Sequence, residues 1–170
     1  MGNEVERTDD GRFIVVDGRK WRATNPNIPA PLRTELVKAL MAARRAVKEA
    51  AGDPEATAAA RRRVHQAKVA LGERGDPWWE PSDEAALTNR VQATIRALVW
   101  IRGPESSICP SDIARIVASP DWRGTLDTVR SVGAAMAAVG EIVVTQGGSP
   151  VTDASAASGP IRYVIGPDAT

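Results

Sequence analysis

Apolar positions recur along this chain first with a strand period, then with a helical period, and with a strand period again near the end. Residues 1–10 are polar and are expected to form a disordered tail. The first apolar run is Arg12-Phe13-Ile14-Val15-Val16, followed by Asp17-Gly18 and Arg19-Lys20-Trp21-Arg22. Asp-Gly between two such runs predicts a β-hairpin with a type I′ turn, because both central residues need positive φ. Pairing Val16 with Arg19 sets Ile14 against Trp21 on one face and Phe13, Val15, Lys20 and Arg22 on the other. A lone hairpin is marginal in water, so one face must pack on something. Phe13 and Trp21 are the expected anchors.

After the connector Asn25-Pro26-Asn27-Ile28-Pro29, the spacing becomes helical. Leu32, Leu36, Leu40, Val47 and Ala51, supported by Val37 and Met41, predict a helix over 31–51. Pro31 suits its first turn. Gly52-Asp53-Pro54 breaks it, and Ala60, Val64, Ala67 and Leu71 form the stripe of a second helix that Gly72 and Gly75 end. The short break predicts an antiparallel helical hairpin. Its second stripe is mostly alanine, which permits close approach but buries little area.

Asp76-Pro77-Trp78-Trp79-Glu80-Pro81 reads as a junction. Beyond it, Leu87, Val91, Ile95, Leu98 and Val99 predict a helix over 82–102, with Ser82 as its cap and Asp83 and Glu84 in its first turn. A short helix opens at Cys109-Pro110-Ser111-Asp112, and a third runs over 125–139 with Leu126, Val129, Val132, Gly133 and Met136 inward. Strand patterns follow at 141–145 and 160–165. Helix, helix-turn-helix, β-hairpin is the order of a winged helix. Residues 146–159, rich in Gly, Ser and Ala, would form a long, flexible wing. The expected fold is mainly α with small β (α+β). A module at 11–75 made of the β-hairpin and helical hairpin is followed by a junction at 76–81 and a winged helix at 82–166.

Charge separates the two halves. Residues 11–75 carry 14 Lys or Arg against 6 Asp or Glu, whereas residues 76–170 carry 7 against 11, within a chain of net charge +1. A basic module of this kind can meet nucleic acid; the plainer reading is a solvated helical surface. Arginine outnumbers lysine 18 to 4, a bias that GC-rich coding alone explains. A single cysteine excludes an internal disulfide and fits a reducing cytosol, so the expected location is cytoplasmic. The sequence has no 18-residue apolar run and no signal-peptide pattern, and no membrane partner is expected. Met1-Gly2 opens like a myristoylation site, but Glu6 stands where Ser or Thr is needed.

The segment Ser107-Ile108-Cys109-Pro110-Ser111-Asp112-Ile113-Ala114-Arg115, with Trp122-Arg123, Val129-Arg130, 141–146 and Gly159-Pro160-Ile161-Arg162, resembles a bacterial winged-helix-like family without assigned function, the domain-of-unknown-function family 3253. The resemblance covers about residues 85–165, and the N-terminal half is similar to longer actinobacterial members. It implies a winged-helix fold and carries over no catalytic residue.

Little chemistry of catalysis is visible. His65 is the only histidine, and no Gly-x-Ser-x-Gly elbow accompanies it. Cys109 and His65 alone make no zinc site, and there is no phosphate-binding glycine motif and no carboxylate pair. Neither an enzyme, a cofactor nor a metal is expected. Cys109 stands at a helix start, where a thiol pKa falls, but it reads first as a buried structural cysteine.

The candidate nucleic-acid contacts are cations. On the helical hairpin they are Arg44, Arg45 and Lys48 on the first helix, then Arg61 and Lys68, which share a face of the second with His65, and Arg62 on a neighbouring position. On the β-hairpin, Lys20 and Arg22 beside Phe13 could hold a phosphate while the ring stacks a base, though Phe13 reads first as an anchor. In the C-terminal half, Arg130 is the evident reader on the third helix, and Arg115, Arg123 and Arg162 could cluster. The segment 146–159 has no Lys or Arg, which makes this half a poor duplex binder by charge. The expected partner is nucleic acid or a nucleoprotein, such as a ribosome. A protein could instead dock on Trp78, Trp79 or the small-residue face of the third winged-helix helix, as for an adaptor. DNA-binding regulation through that helix is the remaining alternative.

Overall fold

Asp17 and Gly18 take φ of 51° and 73° and turn β1 (Phe13–Val16) onto β2 (Arg19–Arg22). The register is the expected one, with Val16 opposite Arg19 and Ile14 opposite Trp21. The structure, a computed structural model, describes residues 5–169. Residues 5–10 correct the expectation of a disordered tail. Thr8 N donates to Phe13 O at 3.0 Å and Val15 N to Glu6 O at 2.8 Å, and Arg7 forms a bridge with Ile14. The outer edge of β1 offers unpaired backbone groups, and this segment takes them up. Residues 1–4, the rest of the expected tail, lie outside the described residues.

Helix α1 (Ala30–Glu49) and helix α2 (Pro54–Ala70) pack on each other, joined by a short turn in which Gly52 has φ of 100°. Asp53 caps α2, its carboxylate accepting from Ala56 N at 3.0 Å. Leu36, Ala39, Leu40 and Ala43 form the buried face of α1. Val37 and Met41 do not belong to it; both are exposed. Each follows a buried leucine, and one residue turns the helix by about 100°, which carries these side chains off the inward stripe.

Helix α3 (Glu84–Arg102) starts one residue later than a Ser82 cap would place it. Asp83 is the cap, accepting from Ala86 N at 2.8 Å. A carboxylate outcompetes a hydroxyl here because it also opposes the helix dipole. Buried residues on α3 include Arg90, Val91, Thr94, Ile95, Ala97 and Leu98, so more than one face is covered. Helices α1 and α2 pack against it, as do α4 (Pro110–Ala118) and α5 (Leu126–Ala138).

One hydrophobic core therefore runs through the chain. Ile28, Leu36, Leu40 and Leu71 join Val91, Ile95, Leu98, Ile113, Val129, Met136 and Tyr163 in a single cluster. Arg102 adds a polar tie between the halves. Its Nε and Nη2 donate to the two carboxylate oxygens of Glu35 at 2.5 and 2.8 Å, and Nη1 donates to Ser107 O at 2.6 Å. Arg96 makes the same two-point contact with Glu141 at 2.6 and 2.8 Å.

A 3-10 turn (Trp122–Thr125) leads into α5, whose inward residues are Val129, Val132, Gly133 and Met136. β3 (Ile142–Gln146), β4 (Ser149–Pro150) and β5 (Arg162–Ile165) form an antiparallel sheet of order β4-β3-β5. β4 is additional to the two expected strands. Gly147 and Gly148, with φ of 59° and 85°, make the two-residue turn that starts it. Residues beyond β4 are tied back, in contrast to the expected flexible wing. Val151, Ala154 and Ala157 pack on the core. The Asp153 carboxylate accepts from Ser155 N and Oγ and from Ala156 N, which holds it below the usual carboxylate range.

Candidate nucleic-acid interface

The expected cations fall into two groups, those already bound within the fold and those left to solvent. Arg22 belongs to the first. Its Nη1 donates to Gly75 O at 2.6 Å, and its guanidinium lies 5.6 Å from the centre of the Trp79 ring. Arg12 lies 5.0 Å from the same ring. Phe13 meets Trp79 edge-on at 5.5 Å, and Trp78 does so at 5.1 Å. Trp78 Nε1 also donates to Ala23 O at 3.0 Å. Phe13 thus anchors the hairpin, and Trp78 and Trp79, half-buried, fill the junction beneath it. Arg90 completes this hub, buried, with Nη2 donating to Asp76 O at 2.9 Å. Burial lowers its pKa; the Asp76 charge opposes that shift, and the Arg22 charge adds to it.

Lys20 remains exposed on β2. Trp21 corrects the expectation that it anchors the hairpin, because half of its surface is exposed.

On α1, Arg44, Arg45 and Lys48 are exposed and have no ion-pair or hydrogen-bond partner among the described residues. On α2, Arg61, Arg62 and His65 line an open groove of about 620 Å³ at the start of the helix, together with Asp53 and Thr57. Arg74 Nη1 approaches His65 Nδ1 at 3.5 Å. Lys68 leaves this set, because its ammonium pairs with Glu73 at 3.4 Å. Arg63, the next residue along from Arg62 and half-buried, sits 4.9 Å from the centre of the Trp100 ring.

In the C-terminal half Arg130 is not a free reader. It donates to Gly159 O at 3.1 Å and to Ala157 O, so the helix residue clamps the segment before β5. Arg115 and Arg123 do come together. Their guanidiniums lie 4.6 and 4.5 Å from the centre of the Trp122 ring, and Arg115 stands 3.8 Å from Asp112. Arg162 is exposed on β5 and is not part of this stack. The outward residues of α5, Asp127, Ser131 and Ala138, are acidic or small.

Sequence reasoning missed the Trp79 and Trp122 stacks. Each gathers residues from separate elements at no fixed spacing; only the adjacent pair Trp122-Arg123 was visible as a hint. Cys109 is half-buried and accepts from the Ser111 hydroxyl at 3.0 Å. Among the described residues no three His, Cys, Asp or Glu side chains gather as for a metal, and no helix is long and apolar enough to cross a membrane.

The fold and surface define a mainly α protein whose unengaged helical cations lie on α1 and α2, ahead of a three-helix and sheet segment. Residues 88–166 match the model of the family described as Protein of unknown function (DUF3253), the family whose motifs the sequence resembles. No curated protein matches the chain.

Proposed function

We propose that this is a non-enzymatic, cytoplasmic, nucleic-acid-associated protein. Its basic N-terminal half contacts RNA or a nucleoprotein surface such as a ribosome. The observation that carries this reading is the set of exposed, unengaged cations on the helical hairpin: Arg44, Arg45, Lys48, Arg61 and Arg62. Phosphate contacts dominate nucleic-acid affinity, and only cations free to leave water can make them. The order α3, α4, α5, then a sheet, supports a winged helix serving as a docking module. Arg115, Arg123 and Arg162 would add a weaker contact.

A second reading, a protein adaptor, is favoured by Val37 and Met41, which stand exposed among the cations of α1. Reversing Arg61 and Arg62 to Glu tests the first reading. RNA binding should weaken roughly tenfold at low salt, and the salt slope should fall by about one for each phosphate that is no longer neutralised. A wild-type protein that binds neither RNA, DNA nor ribosomes at low salt would leave the adaptor reading in its place.

A further inference from the structure

Every aromatic side chain but one has a partner among the described residues. Phe13, Trp78 and Trp79 pack together, Trp100 lies under Arg63, and Trp122 lies with Arg115 and Arg123. Tyr163 is fully buried and donates to Val129 O at 3.2 Å. Trp21 is the exception. It is 50% exposed, and no ring or guanidinium covers it.

Its neighbours make the exposure more than a single stray ring. The Arg7–Ile14 bridge and the Ile14–Trp21 pairing put Arg7, Ile14 and Trp21 in one row across the N-terminal sheet. Residues directly opposite one another share a face. Two residues along β1 from Ile14, Val16 shares that face and pairs with Arg19. Val16 is 42% exposed, so it and Trp21 are two large apolar side chains standing exposed on one face. The other face carries Phe13 and packs on Trp79. Contiguous exposed apolar surface of this kind marks an interaction site.

The charges choose the occupant. Both charged side chains in these two rows, Arg7 and Arg19, are cations and exposed. Arg19 lies two residues from Trp21 on the same strand and face, roughly 7 Å along it. A flat ring with a guanidinium at that reach offers one surface for a base and one group for its phosphate, the arrangement by which single strands are held without sequence preference. A base within a duplex is stacked on both sides and cannot reach the ring.

We propose that Trp21 stacks an unpaired base of single-stranded RNA, with Arg19 and Arg7 holding the flanking phosphates. The proposal rests on the nucleic-acid reading above and names the form of RNA it takes. Binding of the full chain to a mixed-sequence single-stranded RNA, to a duplex RNA of equal length and to heparin tests it. Trp21→Ala should weaken single-strand binding roughly tenfold and leave heparin binding unchanged, because heparin meets only the cations. Trp21→Phe should restore most of the loss, since a phenyl ring still stacks.

Equal single-strand affinity for wild type and Trp21→Ala overturns the proposal. So does an equal loss toward heparin, or a sheet dimer that Trp21→Ala dissociates in sedimentation. If Trp21→Ala is silent while Arg61 and Arg62 reversal weakens binding, this proposal fails and the proposed function stands. If the wild type binds no RNA, this proposal fails; if it binds neither RNA, DNA nor ribosomes at low salt, the proposed function fails with it.

Discussion

Gly133 sits in the interior of α5, where alanine ordinarily stabilises a helix by about 1 kcal/mol. Here the structure predicts the opposite sign. A Cβ at position 133 would lie 2.4 Å from the Tyr163 hydroxyl oxygen, 2.5 Å from Cζ and 2.9 Å from Cε1. The ring has little room to retreat. Its backbone is held on one side by Ile108, with both N–H···O bonds at 2.9 Å, and on the other by Val144 of β3. Overpacking of this kind costs roughly 1–3 kcal/mol, and detaching the buried hydroxyl from Val129 O costs about as much again.

Subtracting the gain in helix propensity leaves a net loss of about 3 kcal/mol for Gly133→Ala. At roughly 2–4 °C per kcal/mol for a chain of this length, Tm should drop by roughly 10 °C. Tyr163 is the one tyrosine of the chain, so its ionisation can be read directly by ultraviolet titration. Burial pushes this phenol up to about 12 in the wild type. In the variant it should titrate nearer the ordinary tyrosine value as the hydroxyl is displaced. In a Tyr163→Leu background the added methyl should cost far less, a coupling that a double-mutant cycle would register. A Gly133→Ala protein with an unchanged or higher Tm and an unchanged phenol titration would refute the reasoning.

Two further outcomes are expected. Glu141 is held below the usual carboxylate range by its hydrogen bonds from Arg96, so its stabilising contribution is present above the unfolded value and lost as pH falls through the folded one. Denaturant melts should therefore show Glu141→Gln less stable than wild type at neutral pH, with the gap closing in acid; a gap independent of pH would count against the ion pair. A fragment of residues 82–170 should unfold at lower temperature and less cooperatively than the full chain, because Val91, Ile95 and Leu98 share one core with Leu36, Leu40 and Leu71. Scanning calorimetry showing an undiminished cooperative transition would make the C-terminal half independent.

What the sequence made legible follows from how local each signal is. The hairpin register needed only Asp17-Gly18 and the period of the flanking runs. Helical spacing was enough for the inward stripe of α5 and for Val91, Ile95, Leu98 and Val99 on α3. It was not enough for the second covered face of α3, which holds Arg90, Ala93, Thr94 and Ala97. Failures came where a neighbour decided the outcome. Trp21 and Phe13 look equivalent on a hairpin, and only the position of Trp79 selects Phe13 for the interior. Val37 and Met41 look like core until α2 fixes which side of α1 is covered. The short β4 was readable in Gly147-Gly148 but was outweighed by the composition of the segment around it.

Charge was the least legible property, because a sequence counts cations without saying which are engaged. Arg90, Arg96, Arg102 and Arg130 each donate to a carbonyl or carboxylate within the fold. A phosphate could recruit any of them only by displacing a bond the structure already makes, and for the partly buried pairs that displacement leaves a carboxylate unpaired. Arg19, Lys20, Arg44, Arg45, Lys48, Arg61 and Arg62 give up only water and counterions. The basic excess of residues 11–75 is therefore closer to an available charge than the arginines of the other half. Replacing an engaged arginine should act on stability, and replacing an unengaged one on the salt dependence of binding. Arg102 and Arg61 make the sharpest pair for that comparison. Arg102→Lys should lower Tm, because an ammonium cannot reach both Glu35 oxygens and Ser107 O as the guanidinium fork does. Arg61→Gln should leave Tm unchanged and reduce the salt slope of RNA binding. A lower Tm for Arg61→Gln, or an unchanged one for Arg102→Lys, would mean that engagement within the fold does not sort these arginines.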